Sequence, residues 1–187
     1  SGENGRFVRV ITAANGKKAF LRIYKDNHVY PYESQISTAL KTLLQEAPMV
    51  GFVTGHKERS GMDMGEKGYG TFASNKTFRY SLENSGYGVR EISLEHPVAE
   101  DINIIVLADM RSDFTEEEFR NFDAYLERGG NLFILGEPKR QQFMNPVIER
   151  LGLRFADGII VSPSEVNLDD LVAANIKEGA AKVSENY

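Results

Sequence analysis

Cysteine is absent from the chain, and so is any long hydrophobic run. Without cysteine there is no thiol nucleophile, no cysteine-ligated metal and no disulfide. No apolar stretch approaches the roughly 20 residues that a membrane-spanning helix needs, and no secretory signal sequence is recognisable. Because the chain opens on Ser1 without an initiator methionine, we expect it to be a piece of a longer protein that carries any targeting segment elsewhere.

Positive charge is also in short supply. The chain has 22 lysine and arginine residues against 27 aspartate and glutamate residues, a formal net charge of -5. No basic cluster offsets this balance, so we expect no nucleic-acid partner. Hydrophobic residues make up 41% of the sequence and charged residues 26%, which is typical of a folded globular protein.

The pattern that is present alternates strands with helices. The run at 102–108 (INIIVLA) is continuously apolar, which is typical of a parallel strand buried on both faces of a sheet. We expect an α/β fold with a mostly parallel sheet and helices on both faces. The expected strands are 49–54, 89–94, 102–108, 131–136 and a short one at 158–161. Four helices are expected: one that begins at Glu33 and ends before Pro48, one over 71–84, one over 115–128, and one that contains Phe143 and Leu151 and ends at Gly152.

An N-terminal β-hairpin precedes this pattern. Residues 6–12 and 19–24 are rich in β-branched and aromatic side chains, and Asn15-Gly16 between them suits a tight turn. We therefore expect a hairpin extension over 1–30, an α/β domain over 31–162, and a tail or the start of a further segment over 163–187.

The candidate site lies where the strands end. Ligands of open α/β sheets bind beyond the carboxyl ends of the strands, near the point where the strand order reverses. We expect no metal and no cofactor. The candidate ligand-binding residues are Gly55, His56, Glu58, Asp109, Arg111 and Glu137.

These strand ends allow more than one interpretation. If the strands are neighbours, His56, Asp109 and Glu137 could share a crevice and support metal binding or acid–base chemistry. Strand ends are also polar simply because the chain leaves the core there. Asp109 could cap a turn, and Glu137 could pair with Lys139 or Arg140.

The glycine-rich segment 57–70 lacks the Gly-Lys-Ser/Thr ending of a phosphate-binding loop. It does not lie directly between a buried strand and its helix either, so it also fails to match a dinucleotide-binding fingerprint. Its glycines favour an interpretation as a long mobile loop, which could close over a ligand or partner. No Gly-x-Ser-x-Gly nucleophile elbow is present.

Several segments follow one another in a characteristic order along the chain: 33–36 with Ala39-Leu40, 54–58, Leu107-Ala108, 114–118, 125–132, Asn145-Pro146 and 151–153. In this order they resemble the Gldg-type auxiliary domain of ABC transport systems, named for gliding motility. The resemblance implies an extracytoplasmic domain on the periplasmic face, part of a membrane-anchored protein. It also implies a membrane permease or ABC transporter subunits as partners, and a flavodoxin-like or glutamine-amidotransferase-like fold without the nucleophile.

One position departs from the resemblance. The family's strand end commonly reads Gly-His-Gly-Glu, and Lys57 stands at the third position here. A lysine does not take a backbone conformation that requires glycine, so the family's geometry is not carried over at this residue.

The leading interpretation is a non-enzymatic module of an ABC transport system, with a role in ligand recognition or assembly and a small-molecule or sugar ligand. One alternative is a hydrolase-like or metal-assisted enzyme that uses His56, Asp109 and Glu137. The other is a structural protein-protein docking module, with segment 57–70 and the hairpin as its docking surfaces.

Overall fold

The computed structural model of the protein describes residues 8–24 and 30–163. Six strands and four α-helices lie within these ranges. The strands are β1 (Val8–Thr12), β2 (Lys18–Arg22), β3 (Met49–Val53), β4 (Gly88–Ile92), β5 (Ile102–Ala108) and β6 (Asn131–Leu135). The helices are α1 (Glu33–Leu44), α2 (Gly70–Ala73), α3 (Glu116–Glu127) and α4 (Gln141–Ile148), and a 3₁₀ turn (Glu149–Leu151) follows α4.

Strands β3 to β6 form one parallel sheet in the order β4-β3-β5-β6. Each neighbouring pair runs in the same direction, and β5 pairs with both β3 and β6. Five of the seven residues of β5 are buried, which accounts for its unbroken apolar sequence. The predicted α/β fold with a parallel sheet and an N-terminal hairpin is confirmed.

The two faces of the sheet are covered unequally. On one face, Ile105 and Leu107 of β5 pack with Phe122 of α3 and Met144 of α4. On the other face, Val106 and its neighbours pack mainly against α2 and the segment that follows it. Both faces thus carry helical residues, but the second has only a single helical turn.

The hairpin forms a separate two-stranded antiparallel sheet. Gly16 takes a φ of 83° in its turn, a conformation that favours glycine. Ala19 of β2 packs against Ala39 and Leu43, which ties the hairpin to α1. The chain divides into two compact units, Ser1–Phe155 and Ala156–Tyr187. Apart from residue 163, the expected tail lies outside the described residues.

The helix expected over 71–84 is wrong beyond its first residues. After α2 the chain runs through turns, because asparagine side chains bind the backbone in place of helical hydrogen bonds. Asn75 Oδ1 accepts from the backbone N–H of Thr77 at 2.8 Å, and Asn84 Nδ2 donates to the carbonyl of Phe78 at 2.7 Å. An amphipathic spacing of aromatic residues was not enough to outweigh these local contacts.

The strand expected at 158–161 is also wrong. Residues 159–161 are apolar but exposed, with Ile160 80% accessible, and Gly158 takes a φ of 86°. No strand pairs with this segment among the residues that the structure describes. An apolar run of strand length forms a strand only where a neighbour supplies the hydrogen bonds.

Glycines in segment 57–70 allow other groups to pack closely against the backbone. The interpretation of these glycines as a source of flexibility did not include this role. A Cβ atom on Gly61 would lie 2.6 Å from the ring of Phe52, and one on Gly68 would lie 2.2 Å from the carbonyl oxygen of Asp63. The segment contains no helix or strand before Gly70, but backbone hydrogen bonds tie its ends together, from Tyr69 to Ser60 and from Gly70 to Asp63.

Candidate functional site

The strand order reverses between β3 and β5. The connection that leaves β3 leads to β4 on one side, and the connection that leaves β5 leads to β6 on the other. In open α/β sheets, ligands bind beyond the carboxyl ends of the strands at such a reversal. The residues at these ends are those that follow Val53 and Ala108, with the end of β6 beside them.

Backbone hydrogen bonds hold the three loops at this edge together. The N–H of Arg111 donates to the carbonyl of His56 at 2.9 Å, and the N–H of Arg59 donates to the carbonyl of Ala108 at 2.9 Å. The N–H of Asp109 donates to the carbonyl of Leu135 at 2.8 Å, which joins the end of β5 to the end of β6. The side chains on these loops are therefore presented from a cross-linked frame.

The same edge carries strained backbone. Within the described part of the chain, the non-glycine residues with positive φ are Lys57 (58°), Asp109 (54°) and Lys139 (67°). Each lies within four residues of the end of β3, β5 or β6. Such conformations cost on the order of 1–3 kcal/mol and tend to occur at functional sites. Their location supports the carboxyl edge as the functional edge.

Lys57 corrects an expectation from the sequence. Its left-handed backbone is one that favours glycine, and the lysine nevertheless adopts it. Gly55, two residues earlier, has a φ of 128° and is exposed, with open space where a Cβ would be. The loop after β3 therefore has a glycine-like turn at Lys57, at the expense of some stability.

One group of side chains at this edge, the histidine cluster, consists of His56, Glu58 and Glu118. His56 is 8% exposed. Its Nδ1 lies 3.5 Å from Glu58 Oε1, and its Nε2 lies 3.4 Å from Glu118 Oε2. The ring of Phe114 meets the imidazole edge-on, with 5.0 Å between the ring centroids. Both ring nitrogens are thus enclosed between carboxylates.

The two glutamates also organise the backbone around the histidine. Glu58 Oε2 accepts from the backbone N–H of His56 at 2.6 Å. Burial raises the pKa of Glu58, against the lowering effect of its backbone hydrogen bonds and of His56. Glu118 completes the capping box of α3, where it accepts from the N–H of Thr115 at 2.7 Å. The Glu118 carboxylate thus serves both the capping box of α3 and His56.

The second group, the arginine cluster, consists of Asp109, Arg59, Arg111, Arg140 and Glu137. Asp109 is 1% exposed and lies at its centre. Its Oδ2 accepts from Arg111 Nη2 at 2.9 Å, and its Oδ1 accepts from Arg140 Nε at 3.2 Å. Arg59 Nε lies 3.7 Å from Asp109 Oδ2, and Arg59 Nη2 pairs with Glu137.

The structure distributes the predicted site residues over these two groups. His56 and Glu58 belong to the histidine cluster, whereas Asp109, Arg111 and Glu137 belong to the arginine cluster. Over residues 8–24 and 30–163, no ion pair or side-chain hydrogen bond joins the two groups, and no cluster of histidine, aspartate and glutamate is arranged to hold a metal ion. His56 therefore lies in a different group of side chains from Asp109 and Glu137, and the three do not share one site.

Sequence reasoning missed three contributors to these groups. Arg59 and Arg140 pair with Asp109, and Glu118 pairs with His56. Glu137 pairs with Arg59, so the suggestion that Lys139 or Arg140 is its partner is wrong. The only available signal was the presence of charged residues close behind each strand end; the pairing itself joins residues that are far apart in sequence.

A separate apolar cavity of about 540 Å³ lies on the less covered face of the sheet. Its lining includes Val50, Ile104, Phe133 and Asn131. Asn131 opens β6, and Val50 and Ile104 lie in the first halves of their strands. This cavity is therefore not the pocket at the strand ends that a ligand-binding interpretation predicted.

Comparison with known proteins gives a family but no individual relative. No curated protein and no solved structure matches the chain. Among the described helices, none is long and apolar enough to cross a membrane. Residues 47–174 match the family of auxiliary components described as "ABC-type uncharacterized transport system". This match covers more than half of the chain and includes β3 to β6 with both clusters, so the protein belongs to this family of ABC transport-system auxiliary domains.

Proposed function

We propose that the chain is a non-enzymatic domain of an ABC transport system that recognises a ligand at the carboxyl edge of its sheet. In this proposal the domain works on the periplasmic face of the membrane, beside a permease or other ABC transporter subunits. Family membership supports the transport setting. The resemblance to Gldg-type domains supports the side of the membrane.

The arginine cluster is the observation that carries the ligand-binding role. It lies at the reversal of strand order, where ligands of this fold class bind. Its side chains are accessible, with Arg111 at 36% and Glu137 at 38% exposure, while Asp109 beneath them is buried. A buried carboxylate that holds accessible charged side chains in place suits the recognition of a ligand that arrives from solvent.

The same contacts favour binding over catalysis. Both nitrogens of His56 face carboxylates inside the fold, where a substrate has little access. Asp109 is 1% exposed and its oxygens are engaged by guanidinium groups, so they are not open to a substrate. A general base needs access to the proton that it removes, and neither residue offers that access.

A thermal-shift screen of sugars, amino acids and organic acids tests the proposal. We expect at least one compound class to raise the melting temperature of the wild-type domain. The rise should be lost in Arg111→Gln and kept in Arg154→Gln, which removes an arginine that is 75% exposed and lies outside the cluster. If stabilising compounds act equally on both variants, the carboxyl edge is not the binding site.

A further inference from the structure

We infer that the arginine cluster is an oxyanion-binding site, and that its ligand is a small molecule with a carboxylate or phosphate group. This inference rests on the proposed function, because it names the chemistry of the ligand at the same edge. It adds Arg59 and Arg140 to the residues that the sequence indicated. Three lines of observation support it.

Charge is the first. Three guanidinium groups in the cluster face two carboxylates, those of Asp109 and Glu137. One positive charge is therefore left without a counterpart within the cluster. The protein as a whole carries a formal charge of -5, so this local excess runs against the overall balance. An anionic ligand group is the chemistry that such a site complements.

The supply of hydrogen-bond donors is the second. A guanidinium group carries five N–H donors, whereas Arg111 and Arg140 each donate one side-chain hydrogen bond within residues 8–24 and 30–163. The Nε atoms of Arg59 and Arg111 are buried and have no hydrogen-bond partner in the same ranges. The two oxygens of Asp109 thus leave most of the donors unused, and oxyanions are acceptors that can use several donors at once.

Preorganisation is the third. The backbone N–H groups of Arg59 and Arg111 are themselves bonded to neighbouring loops, and Arg140 directly precedes the first residue of α4. Asp109 holds the three guanidinium groups within reach of one carboxylate before any ligand arrives. Fixing the side chains in advance lowers the entropic cost of binding. A carboxylate that needed only one counterion would not require three arginines.

Isothermal titration with inorganic phosphate and with acetate, at ionic strength held constant with sodium chloride, tests the inference. We expect the wild-type protein to bind at least one of the two anions, and Arg111→Gln to bind it roughly tenfold more weakly because a multiple guanidinium contact is lost. Arg111→Lys keeps the charge but loses the fork of donors, and it should bind with intermediate affinity. Arg154→Gln is the matched control and should bind as the wild type does.

Two results would overturn the inference. One is equal weakening in Arg111→Gln and Arg154→Gln, since that would make binding a general charge effect. The other is the absence of binding of both anions by a wild-type protein whose circular dichroism shows it to be folded. If neutral compounds in the thermal-shift screen still depend on Arg111, the proposed ligand-binding edge stands and only the oxyanion chemistry is wrong. Whichever anion binds more tightly indicates whether the ligand group is phosphate or carboxylate.

Discussion

The histidine cluster and the arginine cluster lie on loops of the same sheet edge, yet they differ in charge and in access. In the histidine cluster the side chains of His56, Glu58 and Glu118 are 10%, 1% and 6% exposed. In the arginine cluster the side chains of Arg59, Arg111 and Arg140 are 20%, 36% and 29% exposed. The histidine cluster is enclosed in the fold, whereas the guanidinium groups of the arginine cluster are partly exposed to solvent.

The histidine that stands out in the sequence is therefore less accessible than the arginines at the same edge. His56 joins the loop after β3 to the start of α3 and acts as an internal link. The arginines surround a buried carboxylate, and within the described residues Arg111 and Arg140 each donate one side-chain hydrogen bond to it. Removing the centre of each cluster should therefore have different consequences for stability and for binding.

The largest effect is expected from Asp109→Asn, which removes the charge that three partly buried arginines share. Asparagine tolerates the left-handed backbone at this position, so a fall in stability would reflect the lost charge and not backbone strain. We expect the free energy of unfolding in urea to fall by about 3 kcal/mol, because removing one partner of a buried ion pair leaves the others uncompensated.

Asp101→Asn is the matched control for this change. Asp101 pairs with Arg90 through side chains that are 56% and 40% exposed, so we expect a loss under about 1 kcal/mol. Equal losses in the two variants would mean that Asp109 is not the anchor of the arginine cluster.

His56→Ala should have the next largest effect. It removes a buried ring and leaves two carboxylates facing each other, so we expect a loss of about 2 kcal/mol in the free energy of unfolding. Anion binding should remain at its wild-type strength, because within the described residues no hydrogen bond or ion pair joins the His56 side chain to the arginine cluster. His96→Ala, at an exposed position, should stay within about 0.5 kcal/mol of the wild type. Loss of anion binding in His56→Ala would join the two clusters into one site.

A smaller change is expected from Lys57→Gly. Glycine takes the left-handed conformation without the steric cost of about 1–2 kcal/mol that lysine bears. Glycine also raises the entropy of the unfolded chain, which costs about 0.5 kcal/mol, so we expect a net gain of about 1 kcal/mol in the free energy of unfolding. Lys67→Gly is the control in the same segment, and it should instead lose about 0.5 kcal/mol through the greater entropy of the unfolded chain. A loss in both variants would contradict the assigned backbone conformation at Lys57.

The smallest effect is the pH response of Glu58→Gln. Because burial raises the pKa of Glu58 in the folded protein, its contribution to stability is present below the ordinary carboxyl pKa of 4.5 and is lost as the pH rises through the raised value. Glutamine has no charge to bury and can still accept from His56. The melting temperature of the variant relative to wild type should therefore be higher at pH 7 than at pH 4, by calorimetry. A difference that does not change with pH would count against a raised pKa.

The sequence predicted the parts of the molecule that depend on local signals. The apolar run at 102–108 predicted the buried strand β5, and Asn15-Gly16 predicted the turn of the N-terminal hairpin. Local signals failed over 71–84, where asparagine side chains compete for the backbone. The sequence also indicated the edge of the sheet at which both clusters lie.

The members of each cluster were harder to predict than the edge itself. Arg59 and Asp109 are far apart in the chain, and so are His56 and Glu118. Which charges pair depends on how the loops after β3, β5 and β6 are cross-linked, and no spacing within one segment encodes that. The sequence therefore shows which residue types follow each strand, whereas their ion-pair partners can be identified only from the folded structure.

The most direct measurement is a nuclear magnetic resonance titration of the wild-type protein with inorganic phosphate, in which the side-chain signals of both clusters are followed together. We predict that the Nε–H signals of Arg59, Arg111 and Arg140 shift in a saturable way, while the ring signals of His56 and the Nε–H signal of Arg154 stay in place. Shifts of equal size at Arg154, or at His56 instead of the arginines, would contradict an anion-binding site at the arginine cluster.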